Sequence, residues 1–429
     1  MSPGLVAGLI FSLSLLLIFT EKLNRTISSF IGAVAMIGFG ILMGFYSEAE
    51  AIAAIDFETL GLLFGMMVLV ALLEPTGFIQ FLAVWAGRIS GGSSFRLLVL
   101  LGSITTVLSM FLDNVTTVVL IAPVTVLISE LVGVSAVPFL VAEAILSNTG
   151  GTATLVGDPP NVLIASAANL SFNDFLTHSL PAIAVAWVAS LLMLKYLYRD
   201  EMAKKPTSSQ AVLGLDPKQA LEQPQAARRV LIVLLGALIL FLLQEPLHVT
   251  PSFIAFFAAA IALVWVRPDV NLTLQRIEWS VLVFFAALFV MVGGLEATGV
   301  LHQFATALLK INGVSDRLFG VLLIWVVALL SAVVDNVPIT IAIIPIILDL
   351  GGAGMNTAPL WWALAFGAGL GGNGTIIGST ATIVVVSLSE RTHTPITSAS
   401  WSRVGIPVML VTCGIVSAIF YLAYPLFTR

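Results

Sequence analysis

Two aspartate–asparagine pairs lie inside long apolar stretches of this chain. Asp113-Asn114 interrupts residues 97–131, and Asp335-Asn336 interrupts residues 318–350. An ionisable side chain at membrane depth costs about 2.5 kcal/mol or more, so each pair is a candidate functional site. The amides, the Thr116 hydroxyl and freed backbone carbonyls can coordinate a hard cation or bind a small polar solute, and a carboxyl group there can carry a proton. Either aspartate can also cap a following helix, which is compatible with function.

Glycine-rich polar segments break two further apolar runs. Residues 147–161 read Ser-Asn-Thr-Gly-Gly-Thr-Ala-Thr-Leu-Val-Gly-Asp-Pro-Pro-Asn, and residues 369–382 read Gly-Leu-Gly-Gly-Asn-Gly-Thr-Ile-Ile-Gly-Ser-Thr-Ala-Thr. Glycine and proline let the backbone leave a helix, and the freed N–H and C=O groups need partners that lipid does not supply. Close helix packing explains the glycines but not the clustered polar side chains. The predicted solute-binding residues are Asn148, Thr149, Gly150, Gly151, Thr152, Gly372, Asn373 and Thr375, with Asn114, Thr116 and Asn336 from the interrupted stretches.

Four carboxylates are candidates for carrying a coupling proton or ion. Three of them, Asp113, Asp158 and Asp335, belong to the polar interruptions. Asp158 has no acidic counterpart in the second glycine-rich segment, so the predicted site is chemically asymmetric. Glu143 lies four residues before Ser147, on the same helical face. The sequence leaves open whether Glu143 carries a proton or only faces a wet cavity.

Cysteine and histidine usage argues against a metal centre. The only cysteine, Cys413, excludes an intramolecular disulfide and a multi-cysteine site, and the four histidines form no tight cluster. The chain has no Walker A sequence and no motif for nucleophilic or metal-dependent hydrolysis. We therefore expect no resident metal, no cofactor and no enzymatic activity.

The polar interruptions occur twice at a nearly fixed spacing. Asp113 and Asp335 are 222 residues apart, as are Pro123 and Pro345 (335 − 113 = 345 − 123 = 222), and Gly150 recurs 221 residues later as Gly371. A constant offset over separate motifs indicates duplicated halves. In an apolar chain, such halves with polar breaks in matching places are typical of secondary transporters, whose site lies where the broken segments meet.

Composition and hydropathy predict a chain that lies mostly in lipid. It has 429 residues, of which 59% are hydrophobic and 10% charged, whereas soluble domains carry about 25% charged residues. The net charge of −5 offers no basic face for nucleic acid. A membrane span needs about 20 apolar residues. Ten runs are long enough: 4–20, 27–46, 57–74, 136–168, 178–198, 228–244, 250–266, 279–296, 358–388 and 404–427. The prediction is an all-α polytopic membrane protein with five transmembrane helices and one re-entrant hairpin per half; two full spans in place of each hairpin are the alternative.

Charge placement predicts the orientation of the chain. With the polar loop 199–228 in the cytoplasm, 15 lysines and arginines fall inside, and only Lys310, Arg317 and Arg429 fall outside. This distribution obeys the positive-inside rule. Five passes per half invert the second half relative to the first and place both termini outside. The predicted organisation is a first repeat at 1–199, a cytoplasmic linker at 200–227 and a second repeat at 228–429.

The motifs resemble those of the arsenical pump membrane protein family, the ArsB-type arsenite permeases, including its melanocyte P-protein-like branch. The resemblance covers essentially the whole chain and rests on four motifs: Asp113-Asn114-Val115-Thr116, residues 150–161, Asp335-Asn336-Val337-Pro338 and Gly371-Gly372-Asn373-Gly374-Thr375. Sodium/dicarboxylate symporters of the wider ion transporter superfamily carry Ser-Asn-Thr at the hairpin tips and threonine in place of Asp158. The added carboxylates suit a proton or cation better than a dianion. The resemblance implies a scaffold domain, a mobile transport domain with an elevator-like movement, and a homodimer, and it is compatible with a separate ATPase subunit.

The leading functional hypothesis is a secondary transporter of the inner (plasma) membrane that exports arsenite or antimonite, driven by the proton motive force. A Na⁺/H⁺ antiporter or sodium-coupled anion carrier is the second hypothesis, and a gated anion channel is the third. With one cysteine, the chain cannot bind arsenic as a thiolate complex. Arsenite at neutral pH is mostly an uncharged trihydroxide, which Asn, Thr and backbone groups can bind as they would a small polyol.

Overall fold

The described parts of the chain fold mainly as apolar helices. The computed structural model describes residues 2–20, 23–203, 214, 216–300, 315–390, 392 and 394–428, and no β-strand occurs among them. The helices of the first half are α1 (Pro3–Thr20), α2 (Arg25–Met43), α3 (Glu48–Ala53), α4 (Phe57–Leu73), α5 (Phe78–Ser90), α6 (Ser94–Ser109), α7 (Asn114–Val132), α8 (Val137–Gly151), α9 (Pro159–Ala168) and α10 (Phe172–Leu197). A π-helical turn lies at Phe175–Ser179 within α10.

The second half repeats much of this order. Its described helices are α11 (Pro224–Leu242), α12 (Pro251–Val266), α13 (Val270–Gln275), α14 (Trp279–Ala297), α15 (Asp316–Ser331), α16 (Asn336–Gly352), α17 (Ala358–Gly371), α18 (Thr380–Ser389) and α19 (Ser398–Leu422). Helices α3 and α13 begin and end 222 residues apart, and so do α6 and α15. The spacing seen in the motifs is therefore also present in the element boundaries.

Seven of the described helices are long and apolar enough to cross a bilayer: α2, α4 with its 3₁₀ extension (Phe57–Thr76), α7, α10, α11, α14 and α19. The shorter apolar helices have 10–17 residues, with α1 counted over Pro3–Ile18. The structure is thus that of a polytopic membrane protein, as predicted. The count of ten spans and two re-entrant hairpins stays a prediction. Helix α7 belongs to the first predicted hairpin, yet it is long enough to cross the bilayer as a full span.

Each of the two interrupted stretches forms a pair of helices. Helices α6 and α7 are joined at Met110–Asp113, and α15 and α16 are joined at Ala332–Asp335. We call these connections the first tip and the second tip. The Asp113 carboxylate accepts a hydrogen bond from the Thr116 backbone N–H at 2.9 Å and so caps α7, as the capping interpretation allowed.

The two glycine-rich segments unwind where the sequence breaks were predicted. Helix α8 ends at Gly151 and α9 begins at Pro159; likewise α17 ends at Gly371 and α18 begins at Thr380. A Cβ on Gly157 would lie 2.7 Å from both the Gly151 and Ser109 carbonyl oxygens. A Cβ on Gly378 would lie 2.9 Å from the Gly372 carbonyl oxygen, so glycine is needed in both breaks because the backbone folds onto itself.

Helix contacts divide the described residues into two groups. The hairpin group contains α5–α10 and α15–α19, in which α6 packs on α8, α15 on α17, and α10 on α19. The flanking group contains α1–α4 and α11–α14, in which α2 packs on α14 and α4 on α12. At the α4–α12 crossing, a Cβ on Gly65 would lie 2.6 Å from the Ala255 carbonyl carbon, so glycine permits the close approach.

The outer surface of the flanking group is apolar. Leu42 on α2 is 81% exposed and Val264 on α12 is 72% exposed. Exposed apolar side chains on long apolar helices are what a lipid-facing surface requires.

Candidate substrate and ion site

A cavity of about 80 Å³ lies where the two tips meet the two breaks. Residues at the starts of α7, α9, α16 and α18 line it from the hairpin group, and residues of α2, α4 and α14 line it from the flanking group. Sites for drug-sized ligands usually measure about 300–1,000 Å³. In this conformation the cavity has room for an ion with a few waters or for a small solute.

Asn114 fastens the first tip to α8. Its Oδ1 accepts a hydrogen bond from the Ser109 hydroxyl, and its backbone carbonyl accepts one from the Ser147 hydroxyl at 3.4 Å. The Ser109 hydroxyl also lies 2.9 Å from the Ser147 carbonyl. The corresponding contact at the second tip joins the Ser331 hydroxyl to the Ala368 carbonyl at 2.8 Å. The tips are thus held to the broken helices in the same way.

The second tip differs from the first in the partners of its aspartate. Asp335 makes no side-chain cap on α16. Instead its Oδ2 accepts hydrogen bonds from Arg25 Nη1 at 2.9 Å and from the Thr380 hydroxyl at 3.1 Å. Arg25 Nη1 also donates to the Thr380 hydroxyl oxygen at 2.7 Å.

Asp158 is the most enclosed carboxylate of the cavity. It is 3% exposed and lies immediately before α9. Its Oδ2 accepts a hydrogen bond from the Asn336 amide at 3.0 Å, which joins the first break to the second tip. The N-terminus of α9 favours negative charge near this position.

Asn161 satisfies the carbonyl groups of the first break. Its amide nitrogen lies 3.1 Å from the Gly151 carbonyl oxygen, 3.2 Å from that of Thr152 and 2.8 Å from that of Thr154. The glycine-rich sequence predicted that carbonyl groups freed in this break would need partners other than lipid. The structure shows that this side chain is such a partner.

The remaining polar residues of the breaks bond mainly to one another. The Asn148 amide donates to Asn373 Oδ1 at 3.0 Å, and the Asn373 amide lies 3.4 Å from the Thr149 hydroxyl. The Ser379 hydroxyl donates to Asn148 Oδ1 at 2.9 Å. These contacts join the two breaks directly.

The predicted residues therefore separate by position. Asp113, Asn114, Asp158, Asp335 and Asn336 line the cavity. Thr116 lines an adjoining cavity next to Asp113. The other ten predicted residues are outside the lining of the main cavity. Nine were predicted to bind solute, and this role stays a prediction: Thr116, Asn148, Thr149, Gly150, Gly151, Thr152, Gly372, Asn373 and Thr375. The tenth, Glu143, was predicted to carry a coupling proton or ion, and this role also stays a prediction.

Glu143 lies inside the hairpin group. It is fully buried, its Oε1 accepts a hydrogen bond from the Thr125 hydroxyl, and its Oε2 has no hydrogen-bond partner. Glu143 and Ser147 are one turn apart on α8, so the same helix face leads from Glu143 to the first tip.

Two charged residues of the cavity were missed by the sequence analysis. Arg25 begins α2, and Glu278 precedes α14, where its Oε1 lies 3.4 Å from the Thr116 hydroxyl. Both lie at ends of apolar helices, where charges are common. Arg25 carries one signal that was available, since a cation in the first turn of a helix opposes the helix dipole.

Comparison with known proteins identifies the family. The family model described as citrate transporter, CitMHS, matches residues 15–367. The chain belongs to the CitMHS citrate transporter family. It is 36% identical over 427 residues to the 46 kDa membrane protein of Mycobacterium leprae, covering 98% of this chain and 99% of that protein. It is 32% identical over 483 residues to the human P protein, covering 93% of this chain and 57% of that protein.

A solved structure shares the fold of this CitMHS-family chain. It is the YdaH transporter of Alcanivorax borkumensis, with a TM-score of 0.60, 16% identity and 86% of each chain covered. This likeness agrees with the all-helical fold of the described residues, and the family match makes the chain a membrane transporter. The likeness to P protein agrees with the P-protein-like branch named above, whereas membership of the ArsB-type group stays a prediction.

The electrostatics of this transporter's cavity are dominated by carboxylates. Asp113, Asp158, Asp335 and Glu278 line it, against a single cation, Arg25, among the lining residues. Within the described part of the chain, no group of three or more His, Cys, Asp or Glu side chains is arranged to hold a metal ion. The arrangement suits exchange of protons or binding of one monovalent cation.

Proposed function

We propose that the chain is a secondary active carrier that couples proton movement to transport of a small solute without net negative charge. The observation that carries this proposal is the set of four carboxylates, opposed by one guanidinium, around a cavity of about 80 Å³. Charges in a low-dielectric site interact strongly, so an anion there would be repelled. A proton, a cation or an uncharged hydroxylated solute would not.

The proposed architecture is a pair of inverted-topology repeats at 1–199 and 228–429, joined by a cytoplasmic linker at 200–227. Each would have five transmembrane helices and one re-entrant hairpin. The matching boundaries of α6 and α15, and the matching serine–carbonyl contacts at the tips, support the repeats. In an elevator-like cycle, the hairpin group moves past the flanking group. The cavity between the two groups is where such a cycle would carry solute.

Arsenite or antimonite is the cargo that we propose first. The uncharged trihydroxide carries no charge for the carboxylates to repel, and it can donate hydrogen bonds to them. The family description names citrate. A free tricarboxylate would meet four carboxylates, and the lining's cation already pairs with Asp335. We therefore do not propose free citrate as the cargo.

A growth assay tests the cargo. Expression in an arsenite-sensitive bacterium should restore growth on arsenite. A variant with Asp158→Asn, expressed to the same level, should not. Well-expressed wild-type protein that fails to restore growth would contradict arsenite export.

A Na⁺/H⁺ antiporter is the second candidate. The carboxylate and hydroxyl oxygens of Asp335 and Thr380 are hard ligands, as sodium prefers. Stabilisation of the purified protein by sodium would favour this function, whereas indifference to sodium at every pH would argue against it. An anion channel fits an acidic lining poorly, and large anion currents in planar bilayers would be needed to support it.

The proposed setting is the inner (plasma) membrane, with the central loop in the cytoplasm and both termini outside. A homodimer is the assembly proposed from the resemblance. A separate ATPase subunit is compatible with it, although proton-driven transport does not require one.

A further inference from the structure

Arg25 connects the flanking group to the second tip. One of its guanidinium nitrogens lies 2.9 Å from Asp335 Oδ2 and 2.7 Å from the Thr380 hydroxyl oxygen. The guanidinium also lies 5.5 Å from the centre of the Phe284 ring. Arg25 belongs to α2, and Phe284 to α14, whereas Asp335 and Thr380 belong to the hairpin group. The ion pair therefore spans the boundary between the two groups.

The position of Arg25 brings no local benefit to its own helix. It is the first residue of α2, where the helix dipole disfavours a positive charge. The cap of this helix is supplied by Asn24, whose side chain accepts a hydrogen bond from the Thr26 N–H. The favourable contacts of Arg25 are thus those with Asp335 and Thr380, across the boundary between the two groups.

The partners of Arg25 resemble a ligand set for a monovalent cation. A carboxylate oxygen and a hydroxyl oxygen lie 3.1 Å apart and share the guanidinium nitrogen between them. The Asp335 carboxylate can bind a cation because it does not cap α16, whereas the Asp113 carboxylate at the first tip caps α7. The charge at the second tip is therefore balanced by a cation from outside the hairpin group.

We infer that Arg25 is a tethered cation that occupies the Asp335–Thr380 position and must leave it before a transported or coupling cation can bind there. The inference rests on the proposed function, and it names a monovalent cation, a proton or Na⁺, as the competitor. One carboxylate oxygen cannot pair with both occupants. Movement of the hairpin group away from α2 would separate Asp335 from Arg25 and open the position.

The competition can be measured on purified full-length protein without any cargo. Thermal unfolding is followed while Na⁺ is raised at pH 8, and separately while pH is lowered in a sodium-free buffer. The variants are Arg25→Gln, Arg25→Lys and the double variant Arg25→Gln/Asp335→Asn. Because the Arg25 side chain is 33% exposed, the glutamine variant should fold. Arg229→Gln is the matched control, since Arg229 donates to the Trp265 carbonyl away from the cavity.

Arg25→Gln should need about tenfold less Na⁺ for half-maximal stabilisation than the wild type or the Arg229→Gln control. In the acid arm it should lose less stability than the wild type as the pH falls, because it has no ion pair with Asp335 to break. The double variant should lose the gain in Na⁺ response, which assigns it to Asp335 rather than to Asp113, Asp158 or Glu278 in the same cavity. Arg25→Lys keeps the charge and should respond as the wild type does. Equal responses of Arg25→Gln and wild type in both arms, a gain that survives Asp335→Asn, or a lysine variant that responds like glutamine would overturn the inference.

This experiment separates the inference from the proposed function. A stronger Na⁺ response of Arg25→Gln, without any solute uptake by the wild type in vesicles, would support the tethered cation and count against the proposed carrier. Proton-driven uptake by the wild type, with equal cation responses of Arg25→Gln and the wild type, would support the carrier and overturn the tethered cation. The sodium and acid arms identify which cation competes.

Discussion

At the residue scale, Asp158 is the carboxylate whose environment most favours a role in coupling. It is almost fully buried, and its Oδ2 accepts a hydrogen bond from the Asn336 amide of the opposite half. Asp158→Asn keeps the size of the side chain but cannot release a proton. We expect uncoupler-sensitive accumulation and solute exchange both to fall at least about tenfold in vesicles. Asp316→Asn, at the exposed start of α15, is the control and should transport as the wild type does. Normal accumulation by Asp158→Asn would exclude Asp158 as a coupling residue.

Glu143 calls for a different prediction, because it does not line the cavity. Glu143→Gln preserves the acceptor for Thr125 and removes only the exchangeable proton. If Glu143 carries a proton within the hairpin group, exchange of solute should continue while accumulation driven by the proton gradient falls about tenfold. The control is Glu130→Gln at an exposed position of α7. Accumulation at the wild-type level would show that Glu143 is only a buried structural carboxyl.

Sequence could identify some cavity residues and not others, for physical reasons. Asp113, Asp158 and Asp335 stand out because a carboxylate is costly within an apolar run. Arg25 and Glu278 lie at the ends of such runs, where a charge needs no special explanation. The partner of Arg25 is 310 residues away, and no local pattern encodes that contact.

At the element scale, the breaks depend on glycines that permit close backbone approach. A Cβ on Gly151 would lie 2.5 Å from Asn114 Oδ1 and 2.8 Å from the Gly157 carbonyl oxygen. Gly151→Ala should therefore destabilise the protein by about 1–3 kcal/mol and displace the first tip. Thermal unfolding and solute exchange should both report the change.

Gly414→Ala is the matched control for this prediction. Gly414 lies within α19, and a Cβ there would meet nothing within 4 Å. Alanine in a helix interior is about 1 kcal/mol more favourable than glycine, so this variant should be unchanged or slightly more stable. If Gly151→Ala were as stable and active as Gly414→Ala, the backbone approach in the first break would be of no consequence.

The elements were predicted better than their contacts. The clustered glycines and prolines of residues 150–160 indicated the end of α8 and the start of α9, because together they remove helix donors and let the backbone leave the helix. The hydrogen bond between Asn148 and Asn373 could not be predicted from the sequence, since these residues belong to different halves and meet only after folding. Nor could the contacts of Asn161, which donates to carbonyl groups freed in the first break.

At the scale of the whole molecule, the charge distribution predicts which parts of the chain face the cytoplasm. The buried Cys413 can be replaced by alanine, and single cysteines can then be placed at the exposed positions Ser2 and Lys218. A membrane-impermeant thiol reagent added to intact cells should label Ser2→Cys and not Lys218→Cys. Cell lysis should allow labelling of both. The reverse pattern in intact cells would contradict the predicted orientation.

The arrangement of the two helix groups around the cavity also bears on whether the protein is a carrier or a channel. The cavity is small and is lined by residues of both helix groups, so the proposed elevator-like cycle would carry solute by movement of one group against the other. A carrier of this kind should show counterflow, in which unlabelled solute on one side drives labelled solute to accumulate on the other. Conductance without counterflow would instead indicate a channel.

The most direct test of the central claim is arsenite uptake into everted membrane vesicles that contain the protein, energised and with sodium present or absent. A proton-coupled carrier of an uncharged solute should accumulate arsenite, lose that accumulation when an uncoupler is added, and respond equally with and without sodium. Absence of uptake in vesicles shown to contain folded protein, or uptake that requires sodium and survives the uncoupler, would contradict it.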